Sequence, residues 1–211
     1  MRTLLSPVQN PVQNPAQKPV HNPAVEPFNP NLAFSDRLNP HHEALLRGDI
    51  LTETRSHSAW GGGVTAQMYL PLSRSLVWPQ VTDYPRWIQF FPDLCRSEVT
   101  GWSDPAKSAK VVYQVASKAF FLLSIQVEIY LKVSELAPSE TTQQIQFRME
   151  RGSFSDFTAD LTLEDYRAGT ILTYSVEATP TIPVPTPFIQ QAMKLDLPAN
   201  MRKMRKVLCG Q

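Results

Sequence analysis

The sequence predicts an α+β protein in which one antiparallel sheet is covered on a single face by a long C-terminal helix. Three observations carry that prediction. First, strict apolar–polar alternation recurs in four segments between Ser124 and Ala178, the period of strands that keep one face wet and one covered. Second, the one long element of helical period comes at the end of the chain, where Phe188, Ile189, Ala192, Met193 and Leu197 share a face that Met201, Met204 and Leu208 extend. Third, the aromatic-rich stretch SLVWPQVTDYPRWIQFFPDL (residues 75–94) is broken by Pro79, Pro85 and Pro92, so it yields short helical pieces rather than a second cover for the sheet.

The chain opens with SPVQNPVQNPAQKPVHNPAVEPFNPN, in which proline returns at every fourth residue from Pro7 to Pro27. Each proline removes a donor and clashes with the preceding turn, so residues 1–31 are expected to form an extended, disordered arm of polyproline II character, a tether outside the fold. Residues 32–63 read as a linker with a short helix in PHHEALLRG, ended by Gly48. His41 and His42 are adjacent, and side chains one position apart on a helix do not converge on a metal, so they read as solvated. WGGGV (residues 60–64) lacks the Lys of a phosphate loop and reads as the approach to the first strand.

The folded domain is expected over residues 64–208. Its first strand, VTAQMYL, sets Val64, Ala66, Met68 and Leu70 on one face. Ser73 stands where an N-cap belongs, and Pro79 should limit or kink the helix that follows. DYP at Asp83–Pro85 is a turn signal, and RWIQFF adds a helical turn or two before Pro92. After a weaker strand, VVYQVAS, come the four regular ones. Their covered faces carry Ile125 to Val133, then Ile145, Phe147 and Met149, then Phe157, Ala159, Leu161 and Leu163, then Thr170, Leu172, Tyr174, Val176 and Ala178, each set at alternate positions. APSE and RAG read as hairpin connectors. Pro198 should bend the final helix, whose last turns carry Arg202, Lys203, Arg205 and Lys206, cations that complement the C-terminal dipole.

Composition narrows the function classes. Hydrophobic residues make up 42% and charged residues 18% of the 211, an ordinary globular balance. A formal net charge of +1 supplies no field to recruit nucleic acid, so no nucleic-acid partner is expected. No apolar run approaches the ~20 residues that span a bilayer, and MRTLLSPVQN lacks the apolar stretch of a secretory signal. These features predict a cytoplasmic protein whose membrane contact, if any, is peripheral and made by the cationic end of the last helix. Cys95 and Cys209 sit in no CxxC motif and read as free thiols, with a disulfide between them left open by the sequence. HExxH, GxSxG, a phosphate loop and paired cysteines are all missing, so neither a metal nor a cofactor is expected.

YLPLSRSLVWPQVTDYPRWIQFFPDLCRSEV resembles the opening of START-like (SRPBCC) proteins of the polyketide cyclase/dehydrase and coenzyme Q-binding type. The family's small Pro motif, Val-Trp pair, Asp-Tyr turn and aromatic helix ending in Pro are met by Pro71, Val77–Trp78, Asp83–Tyr84 and Phe91–Pro92. RGSFSDFTADLTL resembles the family's hairpin into its sixth strand, and DLPANMRKMR is similar to its terminal-helix ending. The resemblance spans about residues 64–208. It implies a helix-grip fold, in which a strongly bent antiparallel sheet wraps the C-terminal helix and encloses a cavity. Trp78 would then face the core, while Trp87, Phe90 and Phe91 rim or roof the cavity. Pro79 directly after Trp78 departs from the pattern and leaves the length of the first helix open.

Few residues nominate themselves for chemistry. Asp83 reads as a turn former, and Asp160 and Glu164 fall on the polar face with Arg148 as a cross-strand partner. Tyr174 differs: it falls on the apolar face, where its hydroxyl needs a partner or a ligand, and Tyr113 is a second candidate of that kind. Phe147, Phe157, Leu161 and Leu172 share the covered face with Tyr174, opposite Phe188, Ala192 and Met193 of the helix. Small residues at Ala159, Ala178 and Ala192 leave volume there. The expected function is binding, transport or chaperoning of a hydrophobic small molecule such as an isoprenoid quinone or another lipid. Two alternatives stay open: a cyclase or dehydratase acting on a polyketide-like substrate, and a structural or assembly module whose cavity is filled.

Overall fold

A computed structural model describes residues 40–58, 61–120, 123–181 and 195–210. The expectations for the proline-rich arm, and for Phe188, Ala192 and Met193, lie outside these residues. Among them the chain forms strands β1 (Leu51–Ser56), β2 (Gly62–Leu70), β3 (Leu94–Trp102), β4 (Lys110–Phe120), β5 (Leu123–Ser139), β6 (Thr142–Gly152), β7 (Phe154–Tyr166) and β8 (Gly169–Pro180). Helices are α1 (Pro40–Leu46), α2 (Arg74–Val81), α3 (Trp87–Phe90) and α4 (Leu197–Leu208), with a 3-10 turn at Tyr84–Arg86 leading into α3. All strand pairs are antiparallel, in one open curved sheet of order β1-β2-β8-β7-β6-β5-β4-β3.

The covered face is the one the alternation assigns. Val64, Ala66, Met68 and Leu70 of β2 are buried with Ile129, Leu131 and Val133 of β5, Ile145 and Phe147 of β6, and Leu161 and Leu163 of β7. Leu197, Met201, Met204 and Leu208, spaced at three and four along α4, are buried in the same core. Helix α4 packs on β2 and on α3, so the sheet is covered by its C-terminal helix and by the short helices of the 75–94 stretch.

The two strands that the alternation does not reveal, β1 and β3, are the two edges of the sheet. Five of the six residues of β1 are exposed, and β3 buries only Ser97. A strand wet on both faces has no reason to alternate. The expected linker at residues 32–63 therefore contains α1, which buries Leu45, and β1, whose Arg55 side chain spans β2 and β8 through Thr65, Ser175 and Glu177. His42 is not solvated as expected: its ring lies 4.9 Å from that of Tyr166.

Smaller expectations change as well. Helix α2 continues to Val81 through Pro79, because the carbonyl that loses its partner belongs to Ser75, exposed in the first turn. Ser73 occupies the N-cap with extended geometry but does not cap; its hydroxyl pairs with that of Ser75 at 2.9 Å. The terminus of α2 is held instead by Arg74, which donates to both carboxylate oxygens of Asp165 at 3.0 and 3.1 Å and to the Glu140 carbonyl. β5 runs through Ala137 and Pro138 to Ser139, leaving only Glu140 and Thr141 in the turn. Pro198 lies in the first turn of α4, directly after a wider π-type turn at 195–196.

Candidate ligand site on the inner face

The strand register stacks the inner-face residues in rows. Leu163, Leu172 and Met68 form one row; Leu161, Tyr174 and Ala66 the next; then Ala159, Val176 and Val64; then Phe157, Ala178 and Gly62. Burial falls along this series. Every member of the first row is fully buried, and the second keeps 0%, 7% and 0% exposure. In the third row Val176 is half-buried, and in the fourth all three residues are. Met149 and Phe154, at the same end of β6 and β7, are half-buried against the core as well. Thus the inner face is closed at one end and leaves apolar groups accessible at the other.

Aromatic rings stand at the boundary between the two ends. Trp87 is 3% exposed, and its indole N–H donates to the Val81 carbonyl at 2.8 Å, which fixes the ring. It meets Phe147 edge-on at 5.0 Å and Tyr174 edge-on at 6.1 Å, and stacks on Phe91 at 5.5 Å. Phe91 is half-buried and lies 5.9 Å from Tyr174. Phe90, one helical turn on with its ring 6.4 Å from that of Trp87, is fully buried and belongs to the packed core.

Tyr174 is the one hydrogen-bonding side chain in the rows just described. Among the described residues its hydroxyl has no hydrogen-bond partner, although only 7% of the residue is exposed. Burial, and to a lesser extent the Asp160 carboxylate, raise its pKa, so the phenol stays protonated as a donor. Tyr84 shows the satisfied counterpart. It is fully buried, and its hydroxyl donates to Glu135 Oε1 at 2.8 Å, the same oxygen that accepts from Lys110. Its carbonyl accepts from the Ser97 hydroxyl at 2.7 Å, so the DYP turn is pinned to the sheet at both ends.

The structure therefore brings together Trp87, Phe91, Phe147, Leu161 and Tyr174, with Leu172 one row into the closed end and Phe157 two rows toward the open one. It does not bring Tyr113 to them. Tyr113 lies opposite Tyr130, on the outer face, where the rings are 4.5 Å apart and the Tyr113 hydroxyl donates to Glu128 Oε2 at 2.8 Å. In VVYQV both Val112 and Val115 are buried although they point to opposite faces, so periodicity there cannot fix parity. Phe154 starts β7, where alternation has barely begun, so periodicity does not mark it. Its ring lies 5.6 Å from that of Phe157. Arg148 and Asp160 do pair across strands, at 2.9 Å on the outer face. Cys95 and Cys209 are both free. Among the described residues, no three His, Cys, Asp or Glu side chains converge to hold a metal ion, and no helix is long and apolar enough to cross a membrane.

A half-open, apolar inner face under a C-terminal helix defines a helix-grip protein of the START-like class. Residues 70–205 match the sequence model of the polyketide cyclase / dehydrase and lipid transport family, and the chain belongs to that family. No curated protein matches the sequence. Solved structures share the fold at low identity. A STAR-related lipid transfer protein fragment from Xanthomonas axonopodis is 15% identical with a TM-score of 0.62, over 75% of this chain and 93% of that one. Human StAR-related lipid transfer protein 5 is 9% identical with a TM-score of 0.57, over 85% and 90%. The Zhui aromatase/cyclase from Streptomyces sp. R1128 is 13% identical with a TM-score of 0.52, over 75% and 93%.

Proposed function

We propose that this protein binds a hydrophobic small molecule, such as an isoprenoid quinone or another lipid, between the inner face of the sheet and its helical cover. The observation that carries this reading is the fall in burial from the row of Leu172 to the row of Ala178, with apolar side chains left accessible beside an aromatic boundary. A filled core would bury Phe157, Val176 and Met149 as fully as Leu163 and Leu172. Water against such a surface is unfavourable by roughly 25 cal/mol per Å² of apolar area, so an apolar ligand that displaces it gains affinity. Membership of a family described by lipid transport and polyketide cyclisation supports the reading. The lipid-transfer names of two of the fold relatives agree with it.

The test is extraction of the purified full chain with organic solvent, followed by mass spectrometry, together with titration of the stripped protein with a fluorescent hydrophobe. A stoichiometric co-purified lipid, or saturable uptake of the probe, is expected. A chain that carries nothing and takes up no hydrophobic probe does not bind as proposed.

A further inference from the structure

This inference rests on the binding reading above and concerns what the ligand must look like. The inward positions of β2 from Val64 to Leu70 and of β7 from Phe157 to Leu163 are all apolar, as are Ile145, Phe147 and Met149 of β6. On β8 between Leu172 and Ala178, Tyr174 alone carries a polar atom inward. Among the described residues no Asp, Glu, Lys, Arg or His is buried. The Lys110–Glu135 pair on the inner face is already engaged by the hydroxyl of Tyr84. An ionised head group entering between these strands would lose its water and, among the described residues, meet no unengaged opposite charge, a cost that disfavours it. A neutral acceptor would meet the Tyr174 hydroxyl, the one polar atom these rows turn inward, and gain a hydrogen bond there.

We propose that Tyr174 is the polar recognition point of the site, and that the ligand is an uncharged hydrophobe whose carbonyl oxygen accepts a hydrogen bond from the Tyr174 hydroxyl beside Trp87 and Phe91. Its lipid class is then a neutral ketone, quinone or ester rather than a fatty acid or a phosphate-bearing lipid bound by its head group.

The test uses the full chain and three probes on one ring system: anthracene, its methyl ketone and its carboxylate, titrated at about pH 7.5, where the last is ionised. The ketone is expected to bind more tightly than the hydrocarbon, and the carboxylate about tenfold or more weaker than the ketone. Tyr174→Phe should weaken the ketone about tenfold and leave anthracene within a factor of about two, since it removes a hydrogen bond and nothing else. Retained anthracene binding also shows that the variant is folded. If the variant does not fold, the order of the three probes on the unaltered chain decides the matter. Equal binding of ketone and hydrocarbon, a preference for the carboxylate, or a Tyr174→Phe variant that weakens ketone and hydrocarbon alike overturns the role of Tyr174 while leaving the apolar site in place. Failure of all three probes to bind removes the site itself, and this inference with it.

Discussion

At the residue scale, Trp87 and the two buried tyrosines hold the boundary of the site. Trp87 joins α3 to β6 and β8 through Phe147 and Tyr174, and its N–H is fixed by Val81. Trp87→Ala should therefore destabilise the fold by about 3–5 kcal/mol, read as a shifted midpoint in urea with an unchanged slope. Trp87→Phe keeps a ring and loses the hydrogen bond, and should cost about 1–2 kcal/mol. Tyr84 adds a pH dependence. Burial first, then the hydrogen bond to Glu135, raises its pKa, so the folded state favours the protonated phenol. The stability this contributes is fully present below the unfolded pKa of about 10 and is lost as pH rises beyond it. Thermal midpoints should fall above about pH 10, and Tyr84→Phe should flatten that fall. Tyr174 was legible in the sequence because it sits in a clean alternation between Leu172 and Val176. Tyr113 was not, because valines on both sides of its strand are buried.

At the scale of elements, the sheet was legible wherever one face is dry. β2 and β5 to β8 announce themselves by alternation, and their inward faces are the ones the structure buries. The edges β1 and β3 escape because both of their faces meet water, and α2 outruns its proline because the freed carbonyl is exposed. Edge β1 is held by polar bonds rather than by packing. Just beyond it, His57 Nε2 lies 2.6 Å from Asp156 Oδ1 on β7. The pKa of Asp156 is lowered, chiefly by a hydrogen bond from Thr179 and then by His57. Its stabilising effect is present above the unfolded carboxylate pKa of about 4 and is lost as pH falls through the lower folded value. Asp156→Asn should therefore lower the thermal midpoint modestly at neutral pH and flatten the fall below about pH 4, measured by thermal melts across pH. Helix α1 is tied from the far end of the chain, since Arg205 donates to the carbonyl of Gly48. Of the four cations expected to face a membrane, Arg205 is thus engaged within the fold, whereas Arg202, Lys203 and Lys206 are exposed. Arg205→Gln should cost about 1–2 kcal/mol and raise hydrogen exchange in residues 40–48.

For the whole molecule, burial of Leu45 and the Arg205–Gly48 contact place the start of the stable unit before α1, earlier than the alternation suggests. A chain beginning at Asn39 is expected to keep the thermal midpoint of the full chain. One beginning at Ile50 should lose about 2 kcal/mol or more, because it leaves the space of Leu45 empty. The inner face keeps its apolar residues half-buried at the end where Ala178 lies between Phe157 and Gly62, the end proposed to take the ligand. The most direct measurement is equilibrium uptake of a hydrophobic fluorescent probe by Ala178→Trp, set beside its urea unfolding curve. If the space is a ligand site, the indole fills it: uptake falls at least about tenfold while the unfolding midpoint holds or rises. If the space is ordinary core, the added bulk overpacks it. Stability then drops by about 1–3 kcal/mol with uptake unchanged, and no ligand occupies this end of the sheet.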